Sequence, residues 1–310
     1  MLARLLRLLL LFELFAYLAS GIVLVKLSGW SPGGTFLLMA CLALGWRAWV
    51  VFVTYLFALI YRTEVRDEDR IGVTRGCFEG LREVAAFVAL SVIHPFEGMI
   101  LKRDVISRPS ADHFPILLIH GYCSNRGFWW WLKPRLEAHG RSVATLTLEP
   151  VFGRIDGYAE QVARRAEALC RETGMDQVML VGHSMGGLVS RAYLRRYGNL
   201  RVARLVTLGT PHRGSVLARL GLGRNAREME PGNAWLRELE LAPLQVPCVA
   251  FYANHDNYVT PQAGAMLIGA ENRPLTGVGH LAMSISPAVL AVLLEATSAT
   301  AASAIMTGSQ

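Results

Sequence analysis

Charge is scarce in this chain. Asp, Glu, Lys and Arg make up 18% of its 310 residues, against 53% apolar, which is more apolar than an ordinary soluble domain and directs attention to membrane-embedded segments. There is no basic run and no nucleic-acid recognition motif, so the net charge of +7 points away from nucleic acid and toward anionic lipid headgroups. The five cysteines (Cys41, Cys77, Cys123, Cys170 and Cys248) are odd in number and scattered, without metal-like spacing. They read as ordinary reduced thiols, as in a cytosol-facing domain. No internal repeat is present, and the small-residue tail from Ala296 onward reads as frayed, flexible over 299–310.

What the chain does have begins at once. Residues 5–27 are almost wholly apolar, with Glu13 and Lys26 the charges after Arg7, and residues 35–61 carry only Arg47. Each run is long enough to cross a hydrocarbon core, which needs about 20 apolar residues. Ser28 to Gly34 form a turn cluster between them, so the expectation is a transmembrane hairpin over 1–63. Ala19-Ser20-Gly21 offers a weak signal-peptide alternative. Arg4 and Arg7 precede the first span, and Arg62, Arg66, Arg70 and Arg75 follow the second. The positive-inside bias then predicts a multi-pass membrane protein with its N-terminus and everything after Tyr61 in the cytoplasm. Glu13 and Arg47 fall at similar depths of an antiparallel pair and are expected to pair, since an isolated charge there is expensive. A homodimer through the membrane helices is a further partner expectation.

A densely charged linker follows over 64–75, then helical spacing of apolar residues over 77–93, ended by His94-Pro95. Together, 64–109 read as a juxtamembrane linker and amphipathic helix, lying on the bilayer or against the next domain. From 110 to 298 the texture changes. Strand-like runs at 115–120, 143–148, 177–181, 202–208 and 246–252 alternate with helical patterns at 127–139, 158–173, 185–197 and 287–296. Such alternation predicts an α/β fold, a mostly parallel central sheet with helices on both faces. Residues 215–243 break the rhythm and read as a short inserted cap.

Gly182-His183-Ser184-Met185-Gly186 sits directly after a strand pattern and directly before a helix pattern. A serine on such a turn needs strained backbone angles, and the flanking glycines remove side chains that would collide with it. Ser184 is therefore the expected nucleophile, supported by Gly182, His183 and Gly186. A hydroxyl needs a base, and His280 stands in a Gly-rich loop before the last helix, with His212 and His255 its rivals. Asp256 follows the strand at 246–252 and is the expected acid; the chain order Ser184, Asp256, His280 agrees with a nucleophile on this kind of turn. The backbone N–H groups of Met185 and Tyr122 are the expected oxyanion donors, with Gly121 permitting close approach and His120 bracing the loop. Trp129, Trp130 and Trp131 either line an acyl pocket, dock on the bilayer or pack in the core.

With PILLIHGY, GHSMGG, LGTPHRGS, YANHDNYVTP and GVGH, the stretch from Pro115 to Leu281 resembles the bacterial lipase/esterase branch of the α/β-hydrolase superfamily. The resemblance implies cleavage of carboxylic esters through an acyl-enzyme, with no metal and no organic cofactor. It does not extend to the first 63 residues. Tethering to a bilayer raises the local concentration of lipid, so a lipid ester is the favoured substrate. A thioesterase or acyltransferase with the same triad, or a non-catalytic membrane scaffold, are the alternatives.

Overall fold

The computed structural model describes residues 1–63, 70–101 and 113–298. The charged linker at 64–69, the segment 102–112 and the tail 299–310 lie outside the described residues. Helices α1 (Leu2–Ser28) and α2 (Pro32–Ile60) are each long and apolar enough to cross a membrane by length and composition. Gly29 ends α1 in the left-handed region, and the Ser31 hydroxyl caps α2 at the Gly34 N–H, with Pro32 in the first turn. Both far ends of the pair reach the remainder of the molecule: the Met1 ammonium pairs with Glu149, and Thr54 and Ala58 of α2 are buried. Arg47 grips Glu13 with two hydrogen bonds of 2.7 and 2.9 Å, the bidentate geometry that strengthens an Arg–carboxylate pair.

Helix α3 (Val73–Ile93) and the short α4 (Glu97–Ile100) follow. Of the two placements open to the amphipathic helix, α3 packs on the sheet: Ala86 and Leu90 share a core cluster with sheet and helix residues. The sheet has six parallel strands, β1 (Ile116–Ile119), β2 (Val143–Leu146), β3 (Val178–His183), β4 (Val202–Leu208), β5 (Cys248–Ala253) and β6 (Glu271–Leu275), in the order β2-β1-β3-β4-β5-β6. Every residue of β1 is buried, and alternate residues feed opposite layers. Leu117 and Ile119 face a cluster built from α6 (Ile155–Thr173), α7 (Met185–Tyr197) and the cap. Ile116 and Leu118 face α3, α5 (Leu132–Ala138) and the closing helix, α10, at Pro287–Ala296. Burial on both faces is why the strands read as continuous apolar runs.

Some expectations shift. The pattern over 127–139 splits into a 3-10 turn at Arg126–Trp129 and then α5, because Pro134 fits only a first helical turn. Trp129 is fully buried, Trp130 and Trp131 pack against the same core, and Arg135 lies over the Trp131 ring, so this trio serves packing. Strand β6 was not expected: it is an edge strand, mostly polar and containing Pro274, which an edge tolerates. Helix α6 starts three residues earlier than its apolar pattern, capped at the Ile155 N–H by the distant Glu228 carboxylate. The cap contains α8 (Arg224–Glu228) and α9 (Ala234–Leu241); Leu236 and Leu239 of α9 join the core beneath α7.

Candidate active site

Strand order places the site. After β1 the chain goes to one side to form β2, then crosses to the other side as β3, so the strand order reverses at β1 and β3, and sheets of this kind carry their sites beyond the C-terminal ends of such strands. Ile119 of β1 is in register with Gly182 of β3, and the next residues of each strand lie just beyond those ends. One loop carries His120, Gly121 and Tyr122; the other carries Ser184.

Ser184 has φ 54° and ψ −127°, a conformation that side-chain-bearing residues rarely adopt. Its backbone is held by the Ser184 N–H donating to Leu208 O at 2.9 Å. The glycines of the motif are required by contact. A Cβ on Gly182 would lie 2.5 Å from the Gly187 nitrogen, and one on Gly186 would lie 2.2 Å from the Ile119 carbonyl oxygen. A Cβ on Gly121 would lie 2.8 Å from Ser184 Cβ, so the loop after β1 passes directly over the serine. Tyr122 therefore follows a residue that lies against Ser184, and Met185 opens α7, whose first N–H groups lack partners within the helix.

His120 ties this loop to the segment after β2. Its Nδ1–H donates to Gly121 O at 2.8 Å and its Nε2 accepts the Leu148 N–H at 2.9 Å. Burial holds its pKa down to about 4, so the imidazole stays neutral. His183 stacks on Phe128 and donates from Nε2 to His280 O at 3.2 Å; burial keeps it well below the ordinary histidine range.

Asp256 is fully buried, and its two oxygens have separate tasks. Oδ1 accepts the N–H groups of Tyr258 and Val259, each at 2.8 Å. Oδ2 accepts Nδ1–H of His280 at 2.8 Å, which leaves the His280 Nε2 lone pair free of a proton. Burial alone lowers the His280 pKa, but the Asp256 charge and hydrogen bond, with Glu83 behind them, raise it above its usual value. His280 in turn lies against the elbow, its ring centroid 4.5 Å from that of His183. The rival His212 is buried among Arg191 and Thr207 and burial keeps it neutral, while His255 lines a cavity at the end of α2.

Among the described residues, no group of three or more His, Cys, Asp or Glu side chains converges as a metal site requires. A family described as "alpha/beta hydrolase fold" matches residues 115–230. Triacylglycerol lipases of Pseudarthrobacter phenanthrenivorans and Burkholderia plantarii are each 35% identical over 118 residues. Each match covers 35% of this chain, with 36% and 32% of the relatives' own lengths, so the chain spans about a third of these relatives. The mature Bacillus licheniformis lipase superposes with a TM-score of 0.56 at 19% identity, covering 61% of this chain and 94% of that one. Aspergillus fumigatus lipase B gives 0.55 at 19% identity, over 61% and 53% of the two chains. This chain has the α/β-hydrolase fold. Its likeness is to lipases and esterases, as the motifs implied.

Other parts of this hydrolase-fold site were not read from the sequence. Gly209 of LGTPHRGS passes so close to Asp256 and His280 that a Cβ would sit 3.0 Å from Asp256 Oδ2 and 3.3 Å from His280 Nδ1. Cys123, next to Tyr122, has φ 47°; with Ser184 it makes the pair of non-glycine residues with positive φ among the described residues. The Tyr122 hydroxyl both donates to Leu222 O and accepts from Leu222 N at 2.8 Å, tying this loop to the cap. His94 at the end of α3 meets Ser124, and Glu97 binds Arg126, so the preceding helices also hold the loop.

Proposed function

We propose that this protein is a membrane-anchored serine hydrolase that cleaves carboxylic esters of lipids through an acyl-enzyme intermediate. Ser184 is the nucleophile, His280 the base and Asp256 the acid that orients it, with the Tyr122 and Met185 N–H groups stabilising the oxyanion. The observation that carries the reading is the Asp256–His280 hydrogen bond beside a serine held on a strained, glycine-flanked turn. In the forward step His280 Nε2 accepts the Ser184 hydroxyl proton as Oγ attacks the ester carbonyl, then returns it to the departing alkoxide. Water repeats the sequence to release the acid.

Lipid as substrate is supported by three features. The sequence relatives are named triacylglycerol lipases. Exposed Leu220 and Leu222 of the cap, with Phe152, surround the Tyr122 loop with apolar surface. Two helices long and apolar enough to cross a membrane fit a domain held at a bilayer, and we place the catalytic domain on the cytoplasmic side of a bacterial inner membrane.

Full-length protein assayed on p-nitrophenyl esters of increasing chain length, and on phospholipid vesicles, tests the substrate class. Long-chain or phospholipid hydrolysis that disappears in Ser184→Ala is expected; activity confined to acetyl esters contradicts it. A phosphatase fused after Gln310 tests orientation: activity of a periplasmic phosphatase there contradicts the cytoplasmic assignment.

A further inference from the structure

Helix α3 precedes the sheet, yet one of its side chains enters the base loop. Glu83 is fully buried. Its Oε1 accepts the Leu281 N–H and its Oε2 the Ala282 N–H, each at 2.8 Å. These are the two residues after His280, at the start of the 3-10 turn Ala282–Ile285. On the other side of His280 the fit is equally close: a Cβ on Gly279 would lie 2.4 Å from Glu83 Oε2 and 2.8 Å from the Tyr55 hydroxyl of α2. Helix α2 supplies a second hold. Thr54 Oγ1 accepts from Asn257 Nδ2 at 2.8 Å, and Asn257 Oδ1 accepts the His280 N–H at 3.1 Å. The backbone of His280 is thus gripped on both sides by groups that trace back to α2, the second apolar helix, and to α3.

We propose that Glu83 is a positioning residue for His280, and that α2 and α3 together complete the base side of the active site. Helix α2, one of the two long apolar helices, is then a working part of the catalytic apparatus, beyond its use as a tether. This rests on the Ser184–His280–Asp256 reading. Glu83 takes no proton from substrate; it fixes the base loop and, when ionised, favours the imidazolium that forms as His280 accepts the serine proton. Burial pushes its pKa up to about 7, against the pull of the two N–H donors. The titratable groups around it are His280 on the base loop, Asp256 and Tyr258 on the acid loop, Tyr55 on α2 and Glu79 on its own helix. Arg75 packs at Gly277 of the same loop.

The test uses full-length protein in detergent, with kcat and KM for a short p-nitrophenyl ester measured across pH and with thermal melting recorded. Glu83→Gln is expected to lower kcat roughly 10- to 100-fold at little cost in KM, the loss expected for a charge-assisted hydrogen bond. Its acidic limb is expected to move to lower pH, because removing the negative charge lowers the pKa of the base. Glu83→Asp, which keeps the charge but shortens the reach, should restore the position of the limb with only part of kcat. Thr54→Val should lower kcat a few-fold with the limb unmoved. Wild-type kcat and an unmoved limb in Glu83→Gln overturn the proposal, as does a loss that tracks only the fraction folded. If Glu83→Gln does not fold, wild-type kcat in folded Thr54→Val overturns it. Absence of Ser184-dependent turnover in the wild type is a different failure, and it removes the triad reading itself.

Discussion

The proposed nucleophile side, around Ser184, and the proposed base side, around His280, are built by different means. The elbow is consecutive: strand β3, the strained serine and helix α7 follow one another, and contacts to neighbouring backbone fix the turn. The base side is assembled from α2, α3, the acid loop and the base loop, joined by hydrogen bonds between residues 203 and 198 positions apart and, between acid and base, 24 apart. A local structure is stiff because its alternatives are sterically forbidden. A distributed one holds only while every contributor is in place.

The largest effects come from the reacting groups. Ser184→Ala is expected to lower kcat on the order of 10⁴-fold or more, and Asp256→Asn somewhat less, by fixing the wrong tautomer of His280. Near wild-type turnover in Asp256→Asn would remove the base side from the account. Next come the two glycines that represent each side. Gly186→Ala meets backbone at the Ile119 carbonyl and should destabilise by about 3 kcal/mol, read as a lowered melting temperature. Gly279→Ala meets the ends of the Glu83 and Tyr55 side chains, so it should cost less stability and more activity. The reverse order of melting temperatures would break the comparison.

The two sides also differ in their response to acid. His280 lies above its ordinary pKa, so kcat/KM should fall as pH drops through a value above about 6.5. His120 and His94 are depressed by burial to about 4 and about 3. A folded-state pKa below the unfolded value means the unfolded chain binds the proton first, so their stabilisation is complete above about 6.5 and is lost as pH falls toward those values. Activity should therefore disappear at a higher pH than the fold, and coincident transitions contradict this. The smallest effect on turnover belongs to Arg47→Leu, which strands Glu13 in the proposed membrane hairpin. A charge at mid-bilayer costs about 3 kcal/mol, so membrane yield should drop while turnover per folded molecule is unchanged. Adding Glu13→Leu should restore yield; strictly additive losses contradict pairing.

The same division explains what the sequence disclosed. The elbow, the strands around it and both long apolar helices were legible, because glycine placement, strand-to-helix order and span length are local patterns. The chain order of acid and base pointed to Asp256 and His280, which the fold brings together. Glu83 was hidden: in the sequence it is one of several charges near the start of an amphipathic helix, and nothing nearby reveals that it is buried against residues 281 and 282. Thr54 was hidden inside an apolar span for the same reason. Strand β6 escaped because an edge strand need not alternate, and the start of α6 because its cap comes from Glu228.

One experiment reaches the centre of this account. Full-length protein is treated with a fluorophosphonate, digested, and the modified peptide located by mass spectrometry. An adduct on Ser184, formed more slowly in Asp256→Asn and more slowly as pH falls below the His280 pKa, is the predicted result. A folded protein that takes no label, or takes it on another serine, contradicts it.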